Sequence, residues 1–248
     1  MEQPKAIIIA ISGCSSSGKT TLARLLRDIF PNTFILHEDD FYRPEPELPS
    51  KNGLLDWDCA EAIDIPAMAD ALAYIRQNAS FPPTLESKED QNSVGKCPVS
   101  DSAIARAKAK VSARASSLPA ARLCILDGFL LYPPSMAPLK PSLDVKLLVR
   151  ASYEKAKARR QARDGYVTIE GFWADPPGYV DDIVWPNYVQ EHAFMFEDGN
   201  VDGEYRHDVL EKEGIKVQKG VGVDVEMEQT LDWAVDTILD ELEKFSSP

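Results

Sequence analysis

Ala6–Ile11 is an unbroken apolar run, and it leads directly into Gly13-Cys14-Ser15-Ser16-Ser17-Gly18-Lys19-Thr20, with Thr21 next. No other feature of the chain constrains its fold as strongly. A β-rich apolar stretch without polar alternation, here Lys5–Ser12, reads as a central parallel strand buried on both faces. The segment that follows fits G-x4-G-K-[ST] without a mismatch. Its glycines let backbone amides turn inward around a phosphate where a Cβ would intrude. Lys19–Phe30 then has Leu22, Leu25, Leu26 and Ile29 at helical spacing, with Pro31 as the stop. The positive end of that helix points at the same phosphate. Strand, glycine-rich turn and helix in this order predict a site for the phosphates of a nucleoside triphosphate such as ATP. Gly13, Cys14, Ser15, Ser16, Ser17, Gly18, Lys19, Thr20 and Thr21 form its cradle. Lys19 can bridge the β- and γ-phosphates, and the Thr20 hydroxyl can reach Mg2+.

Further strands are expected at Thr33–His37, Arg122–Asp127, Leu143–Arg150 and Ile215–Lys219. Helices are expected at Cys59–Gln77, Asp101–Ala115, Ser152–Arg163, Gly178–Phe196 (with a break or kink at Pro186) and Met227–Phe245. In the first of these, Ile63, Ala67, Ala71 and Tyr74 share a face. Alternating strands and helices predict an α/β fold, a five-stranded parallel sheet with helices on both faces. The 248 residues read as one domain. It carries an insertion at about 78–119, of which Asn78–Pro98 is polar and reads as a mobile excursion, and a lid region at about 152–178.

The net charge of −13 repels nucleic-acid backbone and anionic lipid, so neither is an expected partner. Local positive charge therefore becomes informative. Arg159, Arg160 and Arg163 cluster on one expected basic helix, and guanidinium groups match phosphate oxygens in bidentate geometry. The four cysteines and three histidines have no zinc-site spacing. The Ala6–Ile11 run is too short for a secretory core, so a cytoplasmic location is expected, with the nucleus also open.

Acids fall where ligands bind in open α/β sheets, at the carboxyl ends of strands. Asp127-Gly128 ends one strand, and Asp127 is placed to hold Mg2+ directly or through water. Asp39 and Asp40 follow another. One of them can take the proton of an acceptor hydroxyl, and the other can be structural or meet metal-bound water. Trp57-Asp58, Tyr42 and Tyr166 supply aromatics beside carboxylates, which suits a flat ring carrying a hydroxylated sugar.

The blocks GCSSSGKTT, HEDDFY (His37–Tyr42), WD (Trp57-Asp58), DGFLLY (Asp127–Tyr132), RRQAR (Arg159–Arg163), DPPGY (Asp175–Tyr179) and VWPNY (Val184–Tyr188) occur in an order that resembles the nicotinamide riboside kinases, the fungal members in particular. These belong to the uridine-kinase-like P-loop kinases. The resemblance spans about residues 5–190. It implies the P-loop kinase fold and transfer of the ATP γ-phosphate to the 5′-hydroxyl of nicotinamide riboside, giving the mononucleotide for NAD synthesis. It further implies Asp39 as the general base, with Lys19 and Arg159 as its catalytic partners. Thr20, Asp39 and Asp127 are the implied Mg2+ contacts, where animal members carry Glu in place of Asp127. Trp57 is the implied stacking aromatic, Asp58 and Arg160 hold the ribose hydroxyls, and Arg159 and Arg163 cover ATP from the lid. Tyr166 is the implied second aromatic, at a spacing one residue longer. Asp40 and Tyr42 complete the substrate set.

A pyridinium ring is cationic, and Trp57, Tyr166, Asp39 and Asp58 favour a flat cation through ring-face attraction of roughly 0.5–2 kcal/mol per good contact. That ranks nicotinamide riboside ahead of uridine or cytidine and leaves nicotinate riboside open. A non-kinase nucleotide switch would need an [NT]KxD segment after a strand, and the nearest sequence is Ser87-Lys88-Glu89-Asp90 in the insertion.

Overall fold

The opening apolar run becomes strand β1 (Ala6–Ser12), every residue of it buried. Alternate side chains enter two separate cores: Ala6, Ile8 and Ala10 on one face of the sheet, and Ile7, Ile9 and Ile11 on the other. The computed structural model describes residues 5–87, 95–163, 165–168 and 171–246, and of residues 166–168, 171 and 246 the backbone alone. The rest of the expected mobile excursion, residues 88–94, lies outside them.

In chain order the elements are α1 (Lys19–Ile29), β2 (Thr33–His37), a short hairpin of β3 (Ser50–Lys51) and β4 (Leu54–Leu55), α2 (Ile65–Asn78), α3 (Asp101–Ala113), β5 (Arg122–Gly128), β6 (Val145–Leu148) and α4 (Tyr153–Gln161). A second hairpin follows, β7 (Tyr166–Thr168) and β8 (Gly171–Trp173), then α5 (Trp185–His192), α6 (His207–Glu213), β9 (Ile215–Lys216) and α7 (Met227–Ser246). The five-stranded sheet runs β2-β5-β1-β6-β9 with every pairing parallel. Helices α1, α3 and α7 supply the core on one face, and α2 and α5 supply it on the other. Among the described residues, no helix is long and apolar enough to cross a membrane.

Several elements differ from expectation. Helix α2 starts at Ile65, because Ile63 is bridged to Tyr42 and the Asp64 carboxylate caps the helix by accepting from the Ala67 amide at 3.1 Å. Its buried stripe is Met68, Ala71, Leu72 and Ile75, so Ala67 and Tyr74 face solvent. Strands β6 and β9 are shorter than expected. Helix α4 stops at Gln161, which leaves Arg163 beyond it and exposed. The segment Gly178–Phe196 is a wide π-turn at Val180–Val184 followed by α5. Pro186 lacks an amide hydrogen and crowds the preceding turn, and the wide turn accommodates it.

Helix α3, read as a surface helix within the insertion, buries Ala103, Ala107 and Val111. It meets α7 through Arg106–Glu228, Lys110–Asp236, Arg114–Asp240 and Arg114–Glu243 pairs of 2.7–3.0 Å. These are largely exposed and individually worth little. The apolar stripe holds the helix, and the pairs set its register. Helix α7 in turn reaches the glycine-rich turn, where Met227 lies against Gly18.

Candidate active site

The turn after β1 folds as its glycines require. Gly13 has φ +152°, and a Cβ there would overlap the carbonyl oxygen of Val149 at the end of β6. Gly18, the N-cap of α1, has φ +104°. Ser16 is held at φ +63°, a left-handed conformation that costs a serine energy unless its surroundings enforce it. Lys19 is buried, and its ammonium donates to the Cys14 carbonyl at 3.2 Å. The hydroxyls of Ser16 and Ser17 are buried with no hydrogen-bond partner among the described residues. Buried donors without acceptors are costly, and an anion in the cradle would satisfy them. Burial pushes the Cys14 thiol up to about 11, against the pull of Lys19, so it is no nucleophile. Arg159 leans over the turn from α4 and donates to the Ser17 carbonyl at 3.2 Å.

Asp127 ends β5 beside this turn. Burial pushes its carboxyl up, but the His37 hydrogen bond, the charge of Lys19 and the nearby Thr20 hydroxyl outweigh that and hold it below the usual carboxylate range. Its Oδ1 is buried and has no hydrogen-bond partner among the described residues. No group of three or more His, Cys, Asp or Glu side chains that could cage a metal occurs among the described residues. Mg2+ takes one or two protein oxygens and fills its octahedron with water and phosphate. Thr20 and Asp127 fit such a role, with the orphaned Oδ1 as the observation.

Asp39 and Asp40 sit, half-buried, on a single 3-10 turn, Glu38–Phe41, at the carboxyl edge of β2. Ser87 of the insertion donates its hydroxyl to Asp40 Oδ1 at 3.0 Å. Tyr42 lies just beyond. Its hydroxyl is pushed well up by burial first and then by the charges of Asp39 and Asp58.

Trp57 and Asp58 are buried and pinned by their neighbours. The Trp57 amide donates to the Tyr179 hydroxyl at 3.0 Å, and Asn187 donates to both Asp56 oxygens and to the Asp58 carbonyl. Arg160 is the hub. Its Nη1 and Nη2 meet the two oxygens of Asp58 at 3.0 and 3.2 Å. Nε and Nη2 meet Asp175 at 2.6 and 3.1 Å, and Nη1 also reaches Ser15 Oγ at 2.8 Å. Those bonds occupy all the donors a guanidinium has. Asp58 therefore keeps lone pairs to offer, while Arg160 acts by holding it. Burial pushes the Asp58 carboxyl up, and Arg160 pulls against that rise.

The aromatic wall has a member that the sequence expectation did not name. Trp173 of β8 faces Trp57, with ring centroids 5.6 Å apart, and its Nε1 donates to Asp175 at 3.0 Å. Tyr42 packs edge-on to Trp57 at 5.2 Å and lies nearly parallel to Phe129 at 6.4 Å. Tyr166 is the β-sheet register partner of Trp173, and its side chain lies outside the described residues. The geometry thus brings together the glycine-rich turn, Asp127, Asp39, Asp40, Tyr42, Trp57, Asp58, Arg159 and Arg160. It leaves Arg163 exposed past its helix.

Sequence reasoning passed over Trp173, Glu38, His37, Asp175 and Asn187, although all but Trp173 stand in the quoted blocks. Glu38 is fully buried and accepts the Leu130 amide at 3.0 Å, bracing the turn after Asp127. Burial pushes its carboxyl up to about 7. Asp175 and Asn187 orient Arg160 and the Asp56–Asp58 segment. The signal for Trp173 was its place just before the DPPGY block.

A glycine-rich phosphate turn at the carboxyl end of the central strand, in a parallel sheet of this order and with acids along the same edge, defines an ATP-dependent kinase of the P-loop class. The nicotinamide riboside kinase of Schizosaccharomyces pombe is 35% identical over 241 residues, covering 96% of this chain and 99% of that one. That of Saccharomyces cerevisiae is 35% identical over 206 residues, covering 82% and 84%. Human nicotinamide riboside kinase 1 is 31% identical over 192 residues, covering 77% and 79%. The chain belongs to the nicotinamide riboside kinase family. No protein-family model matches it. Among solved structures, an unliganded sugar kinase from Janibacter aligns over 98% of this chain and 99% of its own at 16% identity and a TM-score of 0.41, so the fold assignment rests on the sheet order itself.

Proposed function

We propose that this chain transfers the γ-phosphoryl group of ATP to the 5′-hydroxyl of nicotinamide riboside, giving nicotinamide mononucleotide. The observation that carries the reading is the pair of indoles Trp57 and Trp173, ring centroids 5.6 Å apart, beside the Asp58–Arg160–Asp175 network. Indole faces attract a cation, and a pyridinium is a flat cation. A flat ring between two others needs about 7 Å, twice a van der Waals contact, so the two indoles must part and turn towards parallel to sandwich it. Asp58, fixed by Arg160, accepts the ribose hydroxyls. Tyr42 and Asp40 close the remaining side.

Asp39 removes the proton of the 5′-hydroxyl. That oxygen bonds to the γ-phosphorus as the bridging bond to ADP breaks. Lys19, the amides of residues 13–21 and Arg159 stabilise the charge on the moving phosphoryl. Arg163 covers ATP when the lid, residues 152–178, closes over the single kinase domain. Thr20 and Asp127 would hold Mg2+, with Asp39 as the further contact. When bound, the metal neutralises charge on the phosphates. Nicotinate riboside fits the same walls, although its carboxylate sets a second negative charge near Asp58. The location inferred is cytoplasmic.

Purified protein with Mg-ATP and a panel of ribosides tests this. Nicotinamide riboside is expected to give the highest kcat/KM, and a clear preference for uridine or cytidine would overturn the assignment. Asp39→Ala is expected to abolish turnover while ATP binding persists, and normal turnover would remove Asp39 as the base.

A further inference from the structure

His37 and Asp127 are register partners on the neighbouring parallel strands β2 and β5, at the edge that meets the phosphate turn. Their side chains are 6% and 4% exposed, and His37 Nδ1 lies 3.3 Å from Asp127 Oδ2. The two Asp127 oxygens are thus unequal. Oδ2 is engaged by the imidazole, while Oδ1 is buried without a hydrogen-bond partner among the described residues. A buried carboxylate oxygen with no donor is costly unless a cation or its water meets it. Asp is also a short side chain, so its two oxygens can turn about the Cβ–Cγ bond unless something holds one of them.

We propose that His37 is a positioning residue for the metal. By donating its Nδ1 proton to Oδ2, it fixes the carboxylate plane so that Oδ1 is the oxygen left for the metal or a water bound to it. This rests on the metal role of Asp127 proposed above. Outer partners of metal ligands act by fixing the orientation of the ligand, and their loss weakens metal affinity without touching the metal. A histidine serving only to fill the core would move fold stability and leave metal affinity alone.

Mn2+ binding to the protein–ATP complex, followed through the electron paramagnetic resonance of free Mn2+, tests the inference in His37→Leu, His37→Asn and Asp127→Asn. ATP binding without metal is measured in parallel. The Asn side chain can set an N–H close to the position of Nδ1. His37→Leu is expected to weaken Mn2+ binding about tenfold, the lower end of what outer partners contribute, and His37→Asn to recover to within about threefold of wild type. Metal-free ATP binding stays unchanged in both. If Asp127→Asn weakens Mn2+ and His37→Leu does not, the inference is overturned and the metal role of Asp127 stands. Equal loss in the Leu and Asn variants, or parallel loss of metal-free ATP binding, also overturns it. If Asp127→Asn leaves Mn2+ affinity unchanged, the metal role itself fails, and the inference with it.

Discussion

Replacing Arg160 by Lys keeps the charge and changes the geometry, which makes it the sharpest probe of the acceptor site. Among the described residues Arg160 makes five hydrogen bonds, two to Asp58, two to Asp175 and one to Ser15, from a side chain 6% exposed. An ammonium has three donors on a tetrahedral head and cannot lie as a planar fork between two carboxylates. At least two bonds are lost. At about 1.5–3 kcal/mol for each charge-assisted bond, and taking the low end because water can enter, the loss is about 3 kcal/mol. That corresponds to about a hundredfold in an equilibrium or rate constant. Urea unfolding measures the part that falls on the fold, and kcat/KM for nicotinamide riboside at saturating Mg-ATP measures the part that falls on catalysis. Arg160→Met, which leaves two buried carboxylates without their cation, is expected to cost about 3–5 kcal/mol. The reasoning requires Lys to resemble Met. If Lys recovers most of what Met loses in both assays, charge alone suffices and the argument from fork geometry is refuted.

Trp173→Ala is expected to raise KM for nicotinamide riboside about 3–30-fold, the equivalent of one lost ring-face contact; an unchanged KM in steady-state kinetics would remove Trp173 from the ring site. Gly13→Ala sets a Cβ against the Val149 carbonyl, so ATP binding measured by calorimetry is expected to fall more than about a hundredfold, the equivalent of a backbone clash of about 3 kcal/mol. Two buried groups give opposite pH signatures. His192, lowered to about 4 by burial and the charge of Lys19, binds its proton in the unfolded chain near pH 6.5 and in the folded chain only near 4. Its contribution therefore makes stability rise with pH between about 4 and 6.5, by roughly 3 kcal/mol in all. Glu38, raised from 4.5 to about 7, holds its proton longer in the folded chain, so its contribution makes stability fall as pH rises through that window. The two nearly cancel between pH 4.5 and 6.5. Glu38→Gln is expected to give unfolding free energies that climb with pH there, and His192→Asn to give ones that decline; the same slope in both variants would contradict the pair.

Much of the fold was legible because its signals are local. β1 is apolar at every position, as a strand buried on both sides must be, and the turn after it carries glycines where positive φ and close backbone approach demand them. β2 and β5 followed from the same kind of run. Helix α2 begins at Ile65 rather than at Cys59, because the bridge between Ile63 and Tyr42 and the Asp64 cap outcompete the apolar spacing that suggests the earlier start. Helix α3 looked like a solvated basic helix in sequence. Its alanines give little hydrophobic signal, and only contact with α1 and α7 reveals its buried stripe.

The sequence by itself determined the phosphate turn, the strand that leads to it and the acids at the strand ends, since each depends on residues within a few positions of one another. It also carried the family, through the order of its blocks. Only the tertiary structure decided how those pieces face each other. Arg160 spans Asp58 and Asp175 because Asp175 arrives from a segment beyond the lid hairpin. Trp173 came to face Trp57, a meeting of two segments far apart in the chain. His37 met Asp127 because parallel register set side by side two residues 90 positions apart. No local pattern encodes such a meeting, since it depends on the sheet closing around both strands.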